Sequence, residues 1–284
     1  MKLLQYCLVA FLVVQAAHAQ DDAPLRYQFT EGQTLRYRVT QTANVSADAA
    51  EGGSFAMQTE QVTELAWRVA SVDEQGIAKI EQTVPKLKFK TTSPQGKVGF
   101  DSESEDPPMG VAAMLAPSVR TLLETPVTFT VSPIGKVGKI TAPRELIASL
   151  DRVPGASQVL EGEPALRSMI EAALPLLPPD DKPLTRKASI NSAASGDLGL
   201  VSEFQPGETE EPGITRITFQ FKADKPSSVN VTKSEGVALV ATPTGRLVSS
   251  TVTLVIQPSV DKVTAMLDQK TTVKLLEQKS AAPE

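Results

Sequence analysis

The sequence predicts a mainly β (α+β) fold: long antiparallel strands forming a curved sheet or half-barrel, with two to three helices inserted in the middle of the chain. Three observations predict it. Apolar and polar residues alternate with period two on both flanks of the chain, the pattern of a sheet with one wet face. Turn signatures built on Pro and Gly separate these runs at hairpin distance. Between about residues 107 and 178 the period lengthens to that of a helix. With 284 residues, 41% of them hydrophobic, the chain is long and apolar enough to pack a core. The same composition excludes disorder, collagen, a disulfide scaffold and a polytopic membrane protein.

The strands follow in order. Leu35, Tyr37 and Val39 alternate with Arg36 and Arg38, and Leu65, Trp67 and Val69 with Glu64, Ala66 and Arg68. In Lys86-Leu87-Lys88-Phe89-Lys90 three lysines face water while Leu87 and Phe89 face inward. Val127, Phe129 and Val131 repeat the pattern, as do Ile217, Phe219 and Phe221, then residues 237–241, 247–256 and 271–276. Residues 41–58, rich in Ala, Gly and Ser, predict a weak strand pair with a mobile tip. Turns are expected at Glu31-Gly32, Asp73–Gly76, Ser93–Gly96, Ser132–Gly135 and Thr242–Gly245. The last three share the form Ser/Thr-Pro-x-Gly followed by Lys or Arg, which we read as convergent turn chemistry.

Three helices are predicted in the middle. Val111, Met114, Leu115, Val119, Leu122 and Leu123 form one apolar stripe that Pro117 should kink or split. Thr141 is placed to cap a second helix through Leu146, Ile147 and Leu150. Glu163-Pro164 opens a third that carries Leu166, Met169, Ile170, Ala173 and Leu174. Such stripes are expected to pack on the sheet.

The first residues set the expected compartment. Lys2 precedes an apolar run, Leu3 to Val14, broken only by Gln5, and Ala17-His18-Ala19 offers small residues at a cleavage site. This is the layout of a secretory signal peptide cut after Ala19, and the run is too short to span a bilayer. The expected organisation is a leader over 1–19, a single β-rich domain over 20–279 with the helical insertion at 107–178, and a flexible tail over 280–284. No transmembrane span is expected in the mature chain. Export would place it in the periplasm or outside the cell. Cys7 and His18 are the single Cys and the single His, and both would leave with the leader. Triads using His, Cys nucleophiles, Cys/His zinc sites and disulfides would then be excluded, and no cofactor is expected. Loss of Lys2 leaves 27 basic against 33 acidic residues, a net charge of −6 with no basic cluster. That balance argues against nucleic acid as a partner.

Leu25–Val39 (LRYQFTEGQTLRYRV), Trp67–Gln82 (WRVASVDEQGIAKIEQ), Gly96–Ser102 (GKVGFDS), Met114–Pro117 (MLAP) and Gly245–Ser250 (GRLVSS) resemble an uncharacterised family of secreted bacterial proteins, a domain of unknown function. The resemblance covers most of the mature chain and is strongest before residue 150. Members of that family often carry a Gly-Asp-x-Trp-like strand after the third helix, where this chain has Pro183-Leu184-Thr185-Arg186. The resemblance implies export and a β-rich fold, and it supplies no catalytic residues.

Candidate sites are few. Asp101, Glu103, Glu105 and Asp106 form an oxygen-rich loop, a weak calcium candidate that lacks EF-hand spacing, so no metal is assigned. Glu208, Glu210 and Glu211 form a second acidic loop, and Asp180-Asp181 a solvated turn. A pair of carboxylates is the route left for glycoside hydrolysis, but one Trp and three Tyr leave few platforms for sugars. The expected activity is therefore binding, without catalysis. The long half-apolar sheet under helices is similar at fold level to the half-barrel of periplasmic lipoprotein carriers. An apolar groove between sheet and helices would be lined by Trp67, Phe89, Phe129, Phe219 and Phe221, which serve equally well as ordinary core. The expected partner is an apolar ligand, or an envelope protein if the core is filled.

Overall fold

A computed structural model describes residues 24–49, 53–150, 163–174, 177, 188–191, 200–207, 209, 211–223, 229–242, 244–260 and 263–279. The leader with its Ala19 cleavage position, Asp180-Asp181, Glu208, Glu210 and the tail lie outside the described residues. No described helix is long and apolar enough to cross a membrane.

Among the described residues, twelve strands form one antiparallel sheet. In chain order they are β1 (Thr34–Ala49), β2 (Gly53–Val72), β3 (Ala78–Ser93), β4 (Gly96–Asp101), β5 (Val127–Val131), β6 (Val137–Thr141), β7 (Ala188–Asn191), β8 (Leu200–Gly207), β9 (Ile214–Ala223), β10 (Val229–Ala241), β11 (Arg246–Val260) and β12 (Val263–Lys279). The helices are α1 (Val111–Glu124), α2 (Arg144–Leu150) and α3 (Glu163–Ala172), all in the middle of the chain. In space the strands run β6-β5-β3-β2-β1-β12-β11-β10-β9-β8-β7, with β4 beside β3. The chain is thus two meanders, one winding outward from β1 and the other winding back inward to β12. They join where β1 pairs with β12, from Thr34 opposite Lys279 to Ala49 opposite Val263. Residues 44–49 and 53–58 pair with one another as the sequence suggested, and they do so as the ends of the long strands β1 and β2; the tip between them, residues 50–52, lies outside the described residues.

All the predicted turns between strands fall at one end of the sheet, except Ser93–Gly96. We call that end proximal and the opposite end, at Ala49, Gly53 and Ser93, distal. The proximal end is strongly curled. The Tyr27 amide donates to the Pro133 carbonyl (2.7 Å) and the next amide, Gln28, to the Thr244 carbonyl (3.0 Å). Pro133 belongs to the turn joining β5 to β6, and Thr244 to the turn joining β10 to β11. Four strands separate β5 from β11, about 24 Å across a flat sheet at ordinary strand spacing. Two adjacent amides reach both turns only because the sheet curves toward a half-barrel, with residues 25–30 lying across its proximal mouth.

The helices correct two expectations. α1 runs unbroken through Pro117. The carbonyl that Pro117 leaves without an amide partner belongs to Ala113, which is exposed and open to water. Thr141 does not cap α2. It ends β6, where it pairs with Thr128, and α2 begins after Pro143, whose carbonyl takes the Leu146 and Ile147 amides. Leu146, Leu166, Ile170, Leu174 and Leu177 join one core with Leu35, Tyr37, Leu65, Trp67, Ile80 and Phe129. On α3, the Arg167 guanidinium donates to the Val137 and Gly138 carbonyls (2.9 and 3.0 Å), capping the edge strand β6 against further pairing.

Gly245 is the tightest point of the proximal clasp. Its φ is 62°, and a Cβ there would collide with the Arg26 carbonyl. Gly245→Ala is expected to cost about 2–4 kcal/mol, from backbone strain and the displaced residue 25–30 segment. Thermal denaturation followed by circular dichroism measures this, and an unchanged midpoint would show that the segment does not clasp the turn.

Candidate functional site

The face of the sheet that carries Leu35, Tyr37, Val39, Leu65, Trp67 and Val69 is the inner one, and it divides into three zones along the strands. The proximal zone is filled. Trp67 sits 4.9 Å from Tyr37 and 5.9 Å from Phe129, ring centre to ring centre, and its indole donates to Gln82 Oε1 at 2.8 Å. A small cleft of about 250 Å³, open to solvent, lies among Tyr27, Phe29, Gln33, Tyr37, Leu174 and Arg246. It falls below the usual size of a ligand pocket. Burial pushes the Tyr37 phenol above its ordinary pKa, against the opposing pull of Arg246, so this end holds neutral phenols.

Next comes a polar band. β1 continues from Val39 to Gln41, β2 reads back from Leu65 through Thr63, Gln61 and Thr59, and β3 and β12 bring Thr91, Thr271 and Gln269. Gln61 Nε2 donates to Thr63 Oγ1 (3.0 Å), the Thr59 and Thr91 hydroxyls meet at 3.3 Å, and Gln269 Nε2 donates to Thr271 Oγ1 (3.3 Å). Gln61 is 6% exposed, and its Oε1 has no hydrogen-bond partner among the described residues.

Beyond the band lies the distal zone: Ala43, Val45 and Ala47 on β1, Met57 and Phe55 on β2, Leu254 on β11, and Leu267 and Ala265 on β12. Most of these residues are half-buried and Phe55 is 37% exposed, while Ile256 on β11, opposite Leu267, is buried. The inner face therefore opens as it leaves the helices. Its inward positions over 35–47, 55–69, 80–91, 217–221, 234–240, 250–256 and 265–275 hold no charged residue.

The cross-strand charge pairs lie on the outer face, while on the inner side the Arg246 guanidinium reaches the proximal cleft beside Tyr37. Glu64 accepts from Arg38 (2.7 Å) and Arg36 (2.9 Å), and the Arg38 hydrogen bond holds its carboxyl below the usual range. Arg68 pairs with Glu81 at 2.5 Å. These cross-strand pairs give the wet face its register.

Of the aromatic residues singled out in the sequence, Trp67, Phe89, Phe129 and Phe219 are buried and Phe221 is half-buried. They do not meet at one groove. Trp67 and Phe129 fill the proximal core, Phe89 stacks on Phe100 across the β3–β4 pair at 6.0 Å, and Phe219 and Phe221 pack edge-on at 5.7 Å on β9. Phe219 lies over Gly236, where any Cβ would strike its ring. In the acidic loop, Asp101 pairs with Lys88 (2.8 Å) and Glu103 with Lys86. No group of three His, Cys, Asp or Glu placed to hold a metal ion occurs among the described residues.

Sequence reasoning missed the Gln and Thr band. Its signal was the same alternation carried further, from Val39 to Gln41 and from Leu65 back to Thr59, where the inward residue turns from apolar to polar. It also missed Glu171 on α3, which is 5% exposed with neither carboxylate oxygen hydrogen-bonded among the described residues. Burial raises its pKa to about 7, against the pull of Arg167 at 4.0 Å.

No protein-family model matches the chain, and no curated protein matches it by sequence. Among solved structures, one of lipovitellin that concerns lipid–protein interactions is similar over 90% of this chain, with a TM-score of 0.58 and 13% identity. The chain spans 26% of that lipovitellin chain, and the likeness is one of fold. DynF of the dynemicin biosynthesis pathway of Micromonospora chersina covers 89% of the chain and is covered over 85%, at 6% identity and a TM-score of 0.22. A LolA-superfamily protein from Nitrosomonas europaea covers 90% of each, at 6% identity and a TM-score of 0.15. At those scores the last two likenesses establish nothing about this chain.

The two buried carboxylates should respond to pH in opposite directions. Folded Glu171 holds its proton more tightly than the unfolded chain, whose ordinary value is 4.5. The stability of its neutral form is complete below that value and is lost as pH rises toward 7, by up to about 3 kcal/mol. Glu171→Gln should remove this loss and stabilise the protein above pH 7. Glu64 is held ionised, so its contribution is present above its ordinary value of 4.5 and lost as pH falls. Glu64→Gln should cost about 1 kcal/mol at neutral pH and nothing once acid has protonated Glu64 in both states. Denaturant titrations across pH read both effects, and a Glu171→Gln curve parallel to wild type would contradict the first.

Proposed function

We propose that this chain is an exported, non-enzymatic binding protein, periplasmic or extracellular, that receives an apolar ligand on the distal inner face of its half-barrel. One observation carries the reading: a broad uncharged face, filled beneath the helices and left half-covered over Ala43, Val45, Met57, Leu254 and Leu267. A continuous apolar surface of this kind marks an interaction site in a soluble protein. The fold shared with lipovitellin, whose structure concerns lipid–protein interactions, supports the same reading. The ligand's place differs from the one read in the sequence. Beneath the helices the described side chains leave a small cleft between Tyr37 and Leu174, and the broader half-covered surface lies further along the strands.

A second reading, an envelope interaction module, is favoured by the start of α1. Met109, Val111 and Met114 are 83%, 54% and 78% exposed there, and large apolar side chains in such a group mark a contact surface for another protein.

Native mass spectrometry of the chain, produced with its leader and purified without harsh detergent, separates the two. A lipid-sized mass adduct on the mature protein is the expected result. A clean apo mass, together with a protein crosslinked at Met109 or Met114, would replace the carrier reading with the interaction module.

A further inference from the structure

We propose that the polar band is the recognition element for the ligand, and that the ligand is an uncharged lipid bearing a hydroxyl group, of the monoacylglycerol class. This inference rests on the function proposed above and names the chemistry of the ligand. Two observations carry it. First, the inward positions of the strands along the band and the distal zone hold no charge, and Arg246 lies beside Tyr37 at the proximal cleft, so nothing along the proposed ligand path compensates an ionised headgroup or a free carboxylate. Moving an unpaired carboxylate onto such a surface is costly. Second, Gln61 is buried at the border of the band with its Oε1 unpartnered, while its Nε2 is committed to Thr63. A buried acceptor of this kind calls for a donor. A lipid hydroxyl supplies one, and the methyl ester of a fatty acid, which has no hydroxyl, does not.

The geometry fits a ligand laid along the strands. Gln41, opposite Gln61 in the β1–β2 register, is half-buried, so the band is accessible there. From Gln61 to Phe55 the inner face runs six residues along β2, about 20 Å, over Thr59, Met57 and the facing Ala43, Val45 and Ala47. That length suits an extended acyl chain, with its glycerol end at the band and its methyl end toward the distal tip.

The test offers the mature, delipidated protein three probes of one chain length: 1-oleoylglycerol, methyl oleate, and oleate at a pH where it is ionised. Affinities are measured by equilibrium partitioning. The wild type is expected to prefer 1-oleoylglycerol over oleate by on the order of ten-fold or more. Gln61→Leu should weaken 1-oleoylglycerol about five-fold, the loss of one hydrogen bond, and leave methyl oleate unchanged. Oleate bound as tightly as 1-oleoylglycerol, or a Gln61→Leu protein that binds both neutral probes as wild type does, would overturn the assignment and leave the carrier reading standing. Binding of none of the three would overturn the carrier reading itself. The comparison of probes on the wild type needs no variant to fold.

Discussion

The pairing of β1 with β12 is the constraint on which the rest depends. It joins the first long strand of the chain to the last over the full length of β1. Without it there would be two separate meanders, each with a long exposed edge of the kind that invites aggregation. With it, inward positions on β2, β1, β12 and β11 fall into common rows, from Thr63, Val39, Val273 and Ser250 to Met57, Val45, Leu267 and Ile256. The inner face is a single surface because these rows are continuous.

The described helices do not extend over the whole of that surface, and the division of the inner face follows. α1, α2 and α3 contribute Val119, Leu122, Leu146, Leu166 and Ile170 to the core, and with residues 25–30 they fill the curled proximal mouth. Strands as long as the 20 residues of β2 outrun this cover. Beyond the Gln and Thr band the sheet carries small and medium apolar side chains on a half-open surface. Charge stays off the band and the distal zone, because each outer residue of a cross-strand pair, such as Arg38 with Glu64, is fixed to the wet side by the same alternation.

Much of the fold was legible in the sequence, for local reasons. Alternation in Leu35–Val39 and Leu65–Val69 and the turns at Asp73–Gly76 and Thr242–Gly245 each depend on a few neighbouring residues. Long-range register was not legible: nothing local to Val39 marks Val273 as its partner, because no short turn links their strands. Residues 41–58 read as weak because Gln, Thr, Ala and Ser lower the hydrophobic contrast, although the same pleat carries them inward. Trp67, Phe89 and Phe129 were legible as inward-facing, but whether they line a groove or fill a core depends on what lies across from them. Glu171 was hidden as one more polar residue on an amphipathic helix.

The most direct measurement is thiol accessibility at two positions on one strand, in a Cys7→Ser background. Val39→Cys and Val45→Cys lie on the same face of β1, one beneath the filled proximal zone and the other in the open distal zone. Under an impermeant thiol reagent, Val45→Cys should label rapidly in the free protein and become protected on addition of 1-oleoylglycerol, while Val39→Cys stays unlabelled throughout. Slow labelling of Val45→Cys in the free protein, or labelling that lipid leaves unchanged, would contradict an open distal face that receives a ligand.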